Sequence, residues 1–570
     1  MHHVEVFILV AGAVLVTAAC RRRGWPAPLV VVGVAIAVSF LPFIPRFEVD
    51  SELLLEFVLP PLLYSAALSS SYRDFRASLN SITRLGVGLV LVSALAVAAV
   101  FWWLEPAAPF AVALVLGAVV APPDAVAASA VGRRLGLPRR VMTLLSGESL
   151  INDATSLTLY KVALAGVATG AWALGDGLAT FGIAVVVGVA VGLGLGWVVH
   201  RVRMHLDDPV VASAIGLMTP FAAYWAAEEL LGSGVLAVVT AGLYLGHTSP
   251  RAGYATRLYE GPLWSTLDII LESFTFALIG LQLPWVVRDV IESDQGLAHG
   301  IVLSVAVLAT AVLIRPLYVF STAKFDHIRM RGSHRPEHDS LSARESAVVS
   351  WAGMRGVVTL AAAAAIPATI NGEPFTDRAT IQLAAYTVAI GTLLLQGLTL
   401  PWVITRLKVG SGSEIADDAA QEAAMRVATA DAVQRVLEDQ RPEWTSIMGE
   451  ERAEKAISRL STIWRGRAAA AAVMLDPENA DDHLPDDMDA AESVHGLGPA
   501  GRPATGQLPG VEEASRAQRL RRDIVAAQRG VLMERRDAGE LDETVMRRML
   551  RELDLEDESL SSSWVERIEG

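Results

Sequence analysis

Long apolar runs separated by short polar loops make up the first 408 residues of the chain. A helix needs about 20 residues to cross a hydrocarbon core about 30 Å thick. About thirteen of the runs suit such helices, so the pattern predicts an all-α polytopic membrane domain. The predicted spans cover 4–20, 27–44, 52–69, 84–104, 109–132, 140–168, 173–200, 209–227, 232–247, 263–283, 298–320, 344–368 and 379–407.

Basic residues fall in every second loop between these runs. Basic residues favour cytoplasmic loops, so an odd number of spans places the N-terminus outside the cell and the C-terminal tail inside. The basic loops contain Arg21–Arg23, Arg73, Arg76, Arg84, Arg133, Arg134, Arg139, Arg140, Arg201, Arg203, Arg251, Arg257, Lys324 to Arg344, Arg406 and Lys408. The intervening loops hold Glu48, Asp50, Glu105, Asp176, Glu228, Glu229, Glu292, Asp294 and Glu373.

The chain changes character after the last span. A transmembrane domain over 1–408 is followed by a helical segment over 409–476, an acidic Pro/Gly-rich linker over 477–510 and a helical segment over 511–570. Low hydrophobicity with many Pro, Gly and acidic residues is typical of disorder. We interpret the helices as a domain that packs on the cytoplasmic face or on a second copy. Regulation by pH or by a ligand, which no motif identifies, is the other interpretation.

Composition supports the membrane class and excludes others. Of the 570 residues 52% are hydrophobic and only 19% are charged, less charge than a soluble protein carries. The single cysteine, Cys20, excludes a disulfide framework within one chain. The net charge of -14 gives no reason to expect a nucleic-acid partner. Because the first apolar run meets Arg21–Arg23 without a cleavage site, it predicts an uncleaved first span.

Charged side chains lie inside spans five, six and twelve. Asp124 follows the Pro122-Pro123 pair in span five, Asp153 lies in span six, and Arg355 lies in span twelve. A charge at membrane depth costs several kcal/mol even on lenient scales, so it indicates a function. Two carboxylates and an arginine beside a proline-broken helix predict a site where a cation and protons compete.

The positions of the breaks suggest the architecture. Many secondary transporters bring two interrupted helices together from inverted repeats. If spans one to six and eight to thirteen are the repeats, span five, broken at Pro122-Pro123, corresponds to span twelve, broken around Gly353 and Gly356. Backbone carbonyls freed by proline are tolerated at this depth where they line a cavity, and they suit a sodium ion.

Helical spacing in span six sorts its polar residues into two stripes. Ser149 and Asp153 are four residues apart and share a face, as do Glu148 and Asn152. Ser149 and Asp153 are therefore candidate cation ligands together with Asp124. Glu148 is expected to form a buried ion pair with Arg355, because an arginine in the membrane needs a partner.

Span ten contains a second pair of carboxylates. Asp268 and Glu272 are four residues apart and share a helix face. They are secondary candidates, either as the lining of a cytoplasmic funnel or as groups that pair in helix packing.

Five segments of the membrane part resemble the cation:proton antiporter-1 family, the sodium/proton exchangers of NhaP type. They are LPPLLYSAAL at 59–68, APPDAVA at 121–127, GESLINDA at 147–154, FALIGLQL at 276–283 and WAGMRGVVTLAAAAAIP at 351–367. The segment LRELDLEDESL at 550–560 is similar to the end of many bacterial members.

The resemblance assigns roles to residues of this chain. It implies that Asp124 and Asp153 bind the cation and the proton, with Ser149 as a further ligand. It also implies that Glu148 and Arg355 form an ion pair. Asn152 is implied to support that pair. The backbone carbonyl of Pro123 is a further candidate ligand, because this chain has Pro123-Asp124-Ala125 where the family usually has Thr-Asp-Pro.

The function implied is a secondary transporter, not an enzyme. The resemblance implies exchange of Na+ for H+, electroneutral because the pair is Asn-Asp, by alternating access in a homodimer of the plasma membrane. No cofactor is expected, and K+ and Li+ are further possible substrates. A K+/H+ or mixed Na+/K+ antiporter regulated by its tail remains open, as does a channel or membrane sensor that has kept the fold.

Overall fold

The computed structural model describes residues 3–41, 54–169, 174–206, 208–293, 296–330, 341–375, 377–410, 412–475 and 511–561. These residues are mostly helical. The chain forms two compact units, of which the first contains Met1–Ser249 and Glu260–Ser411 and the second contains Pro250–Tyr259 and Gly412–Gly570. The predicted linker over 477–510 lies outside the described residues.

Each of the thirteen predicted spans corresponds to a helix or to a broken pair of helices in the described part of the chain. In chain order the helices are α1 (His3–Arg23), α2 (Ala27–Ser39), α3 (Leu54–Ser69), the short α4 (Tyr72–Ala77), α5 (Leu79–Leu104), α6 (Phe110–Val120), α7 (Ala125–Leu135), α8 (Arg139–Thr169), α9 (Leu174–Arg203), α10 (Pro209–Glu229), α11 (Gly234–Thr248), α12 (Tyr254–Ile291), α13 (Gly296–Met330), α14 (Ala343–Trp351), α15 (Val357–Ala364) and α16 (Arg378–Leu407).

Six of these helices are long and apolar enough to cross a membrane: α5, α9, α10, α12, α13 and α16. The helices α2, α3 and α6 are apolar but shorter. Large apolar side chains on the outside of the unit are exposed, for example Trp103 at 77% and Leu313 at 67%. Exposed apolar surface of this kind suits contact with lipid tails. The predicted polytopic helical membrane fold is confirmed.

Both predicted helix breaks are present. Span five is divided into α6 and α7 by the non-helical residues Ala121–Asp124, and span twelve into α14 and α15 by Ala352–Gly356. Proline explains the first break, since Pro122 and Pro123 donate no backbone hydrogen bond. Other irregularities are single π-helical turns at Leu54–Val58, Arg84–Leu89 and Leu393–Gly397 within α3, α5 and α16.

A short hairpin departs from the all-α prediction. Thr369–Ile370 (β1) pairs antiparallel with Glu373–Pro374 (β2). Asn371 and Gly372 form its turn with positive φ values of 53° and 84°. An Asn-Gly pair adopts such angles at low cost and is a strong hairpin signal, so this turn was readable from the sequence.

The second unit contains the helices α17 (Gly412–Met448), α18 (Glu450–Leu475), α19 (Val511–Ala538) and α20 (Glu543–Ser561). Val525 and Leu532 of α19 pack with Val545 and Met546 of α20 in one of its hydrophobic clusters. Within the same unit, Asp554 accepts hydrogen bonds from Arg257 Nε and Arg529 Nη2, each at 2.8 Å. The segment Pro250–Tyr259, which includes Arg257, therefore belongs to the tail's own packing.

Candidate functional site

The two helix breaks meet through their backbones. The Asp124 N–H donates to the carbonyl oxygen of Met354 at 2.6 Å, which joins the first break to the second. Helix α7 starts at Ala125, so Asp124 is the last residue before a new helix. A hydrogen bond between two interrupted segments satisfies backbone groups that a continuous helix would satisfy internally.

The two breaks, Ala121–Asp124 and Ala352–Gly356, meet at a point that we call the crossing. Gly356 leaves room there for the side chain of Asp124. A Cβ atom added to Gly356 would collide with Oδ2 of Asp124. Only glycine therefore leaves room for the carboxylate at this position. The neighbouring Arg355 N–H donates to Thr392 Oγ1 of α16 at 2.9 Å, which anchors the second break to the last membrane helix.

Helix α8 brings the second carboxylate to the crossing. Asp153 is 5% exposed, and its charge interacts with that of Asp124. Ser149, four residues earlier, is partly buried on the same helix. Ser156 of α8 donates to the carbonyl of Ala118 in α6 at 2.8 Å. This hydrogen bond links the two helices just before the break in the chain. The structure thus brings the predicted carboxylates into one electrostatic site.

Asn152 stabilises the first break directly. Its Nδ2 donates to the carbonyl oxygen of Pro123 at 2.7 Å. A carbonyl oxygen has two lone pairs, so Pro123 retains one that can serve a cation. Asn152 is fully buried, and among the described residues its Oδ1 has no hydrogen-bond partner. Asn152, which is predicted to support the ion pair, therefore contacts the first break.

The predicted pairing of Glu148 with Arg355 is wrong. Glu148 pairs with Arg315 of α13: Arg315 Nη2 donates to Glu148 Oε2 at 2.8 Å, and Nη1 contacts Oε1. Arg315 Nε also donates to the carbonyl of Val349 at 3.0 Å. Both side chains are buried, at 2% and 1% exposure for Glu148 and Arg315. This two-pronged geometry is the strong form of an arginine–carboxylate pair.

Arg355 has a different set of partners, three backbone carbonyls. Its Nε donates to the carbonyl of Val120, the last residue of α6, at 3.1 Å. Its other nitrogens donate to the carbonyls of Gly353 and Ala311. Two of these acceptors, Val120 and Gly353, lie at the breaks, whereas Ala311 lies in the continuous helix α13. Arg355 therefore joins the breaks to α13 and places a positive charge beside the crossing.

The secondary candidates on α12 differ in their surroundings. Asp268 Oδ2 accepts a hydrogen bond from Ser65 of α3 at 2.7 Å. The charge of Glu272 interacts with those of Asp124, Asp268 and Arg21. The negative charge of Glu272 thus acts on Asp124. Asp268 links α12 to α3 through its hydrogen bond with Ser65.

The donor set at the crossing suits a monovalent cation. The predicted ligands are all oxygen donors: the carboxylates of Asp124 and Asp153, the Pro123 carbonyl, and the Ser149 hydroxyl, which lies one helical turn before Asp153. Within the described residues no group of three or more His, Cys, Asp or Glu side chains could hold a metal ion. Two carboxylates with neutral oxygens carry less charge than the sites that Ca²⁺ uses, so these residue types suit a monovalent cation.

Sequence reasoning missed Arg315 and Thr392. Arg315 stands in the apolar run ATAVLIRPLYVF of span eleven, and the argument applied to Arg355 also applies to it: a buried arginine requires a partner. Thr392 offered no such signal, because a threonine in an apolar helix is common.

Comparison with known proteins identifies a family and relatives of the chain. The family model described as "Sodium/hydrogen exchanger, transmembrane" matches residues 7–406. A protein named as an uncharacterised Na+/H+ exchanger of Mycobacterium tuberculosis is 35% identical over 410 residues, which are 70% of this chain and 74% of that protein. A sodium, potassium, lithium and rubidium/H+ antiporter of Bacillus pumilus is 31% identical over 66% of this chain and 57% of its own length.

A solved structure shares the fold. The sodium proton antiporter MjNhaP1 from Methanocaldococcus jannaschii, at pH 8, matches with a TM-score of 0.57 and 20% sequence identity. The match covers 71% of this chain and 97% of that one. At this identity the likeness concerns the fold alone.

Proposed function

Because the chain belongs to the sodium/hydrogen exchanger family of multi-pass membrane antiporters, we propose that Asp124 and Asp153 are the groups at which it exchanges a monovalent cation for H+. The observation that carries this assignment is the contact of the two breaks, which presses Asp124 against Gly356 within electrostatic range of Asp153. Ser149 and the Pro123 carbonyl complete the proposed ligand set.

Competition between cation and proton follows from this placement. Two negative charges in a poorly solvated site repel, and either a cation or a proton relieves that repulsion. Binding of one therefore lowers the affinity for the other. If the protein changes access only when the site is loaded, transport of a cation in one direction requires transport of a proton in the other.

The exchange is proposed to be electroneutral. Asn152 carries no charge and its amide donates to Pro123, so the proposed ligand set contains two carboxylates, those of Asp124 and Asp153. Glu148 is neutralised by Arg315. A single cation replacing a single proton leaves the net charge of the site the same, which is the arrangement expected for one-for-one exchange.

Na+ is the proposed main substrate, with K+ as the alternative and Li+ as a further substrate. Several relatives are named as Na+/H+ exchangers or antiporters, whereas the Bacillus pumilus relative is named for Na+, K+, Li+ and Rb+. Pro123 supplies only a backbone carbonyl to the site, so the size of the cation is selected mainly by Asp124, Asp153 and Ser149.

The protein is proposed to be a homodimer of the plasma membrane, with the N-terminus outside and the tail in the cytoplasm. The alternation of basic and acidic loops supports this orientation. We propose the domain boundaries 1–408, 409–476, 477–510 and 511–570, with the tail as a separate cytoplasmic region. A role of the tail in regulation belongs to the K+ alternative as well as to the Na+ one.

Exchange in vesicles tests the function. We expect purified protein in liposomes to move protons when a Na+ gradient is imposed, and to do so equally with the membrane potential clamped at zero. A larger response to K+ than to Na+ would favour the alternative cation. Cation flux without proton movement would contradict antiport and would indicate a channel.

A further inference from the structure

Gln396 is a fully buried amide in the last membrane helix, α16. It is 0% exposed, and neither its Oε1 nor its Nε2 forms a hydrogen bond with any residue that the structure describes. It lies in the π-helical turn Leu393–Gly397 of α16. Single π-helical turns inside α-helices are frequent at functional sites.

Residues on both sides of Gln396 contact the second break or Trp351, the residue directly before it. Thr392 Oγ1 accepts from the Arg355 N–H, and Thr399 Oγ1 accepts from Trp351 Nε1 at 2.8 Å. A Cβ added to the adjacent Gly397 would lie 3.1 Å from Met354 Sδ. Gln396 therefore lies beside the segment 351–356.

This segment positions the proposed cation ligand. The Met354 carbonyl accepts from the Asp124 N–H, and Gly356 packs against the Asp124 side chain. A non-helical segment has peptide groups that can take new partners when it moves. The Gln396 amide, with one acceptor and two donor hydrogens, can bind such peptide groups.

An unpaired buried amide lowers the stability of the state in which it is unpaired. If this state were the only one, an apolar side chain of similar shape at position 396 would make the protein more stable than glutamine does. A buried glutamine at position 396 is explained if its amide forms hydrogen bonds in another state of the transport cycle.

We propose that Gln396 is a positioning residue for exchange. Its amide hydrogen-bonds peptide groups of the segment 351–356 in a state of the transport cycle other than the one that the structure shows. The inference rests on the exchange proposed at Asp124 and Asp153. Gln396 is not a cation ligand, so its removal affects the rate of interconversion between states more than the binding of the cation.

The Gln396→Met variant tests this role. Methionine has nearly the length of glutamine but lacks the amide. We expect its melting temperature in detergent to rise, its maximal Na+/H+ exchange rate in liposomes to fall roughly tenfold, the equivalent of one hydrogen bond, and its apparent KM for Na+ to change less than twofold.

Gln382, on the same helix, provides a matched control. It is 5% exposed, and its Nε2 already donates to the Ala363 carbonyl at 3.1 Å. Gln382→Met removes an existing hydrogen bond, so we expect a lower melting temperature and an unchanged maximal rate per folded protein.

The outcomes separate the inference from the function. A Gln396→Met variant with the parent's maximal rate overturns the positioning role. A lowered melting temperature, or failure to fold, also overturns it, because the amide would then have a partner in the resting state. A parent protein that exchanges no protons at all would instead refute the proposed function.

Discussion

The variants Asp124→Asn and Asp153→Asn are each expected to lose Na+/H+ exchange completely. Asparagine keeps the size of aspartate but cannot carry a proton or a full negative charge, so the competition between cation and proton disappears. Asp153 is almost fully buried and interacts with the charge of Asp124, so a remaining single carboxylate cannot substitute for the pair. Proton movement driven by a Na+ gradient in liposomes measures the effect.

Glu229→Gln is the control for this experiment. Glu229 is exposed at the end of α10, so its neutralisation changes the net charge of the protein by the same amount without touching the crossing. We expect it to exchange at the parent's rate. Full exchange by either aspartate variant would show that the cation site lies elsewhere.

A second large effect is expected from the buried ion pair. Glu148→Gln and Arg315→Met should each lower the free energy of unfolding by about 3–5 kcal/mol, since each leaves a buried charge unpaired. The double variant should lose much less than the sum, because the pair is removed together. Thermal or denaturant unfolding of the four proteins in detergent gives the coupling energy.

The variant Arg355→Met provides the comparison for this double-mutant cycle. The guanidinium of Arg355 donates to the carbonyls of Val120, Gly353 and Ala311. The coupling energy between Glu148→Gln and Arg355→Met should therefore be smaller than that between Glu148→Gln and Arg315→Met. Stronger coupling of Glu148 to Arg355 than to Arg315 would restore the pairing suggested by the sequence and contradict the structure.

The membrane spans and their breaks could be predicted from the sequence for physical reasons. A bilayer demands a minimum apolar length, and Pro122-Pro123 cannot continue a helix. The grouping of Ser149 with Asp153 followed from helical spacing. These features are determined by residues that are close together in the sequence, so they can be predicted from it.

The partner of Glu148 depends on geometry between helices. Arg315 and Arg355 both lie in apolar spans, and the choice between them is set by the rotation and depth of α13 relative to α8. A linear pattern does not contain that rotation. The engagement of Arg355 with freed carbonyls also depends on how the two breaks cross, as does the position of Gln396 beside the second break.

Proton release on cation binding tests the central claim most directly. Purified protein in weakly buffered detergent solution is titrated with Na+ over a series of pH values, and the released protons are measured. We predict that Na+ displaces protons from the parent and that the Asp124→Asn/Asp153→Asn double variant releases none. Na+ binding that leaves the bound protons unchanged at every pH, or equal release from the double variant, would contradict a site shared by cation and proton.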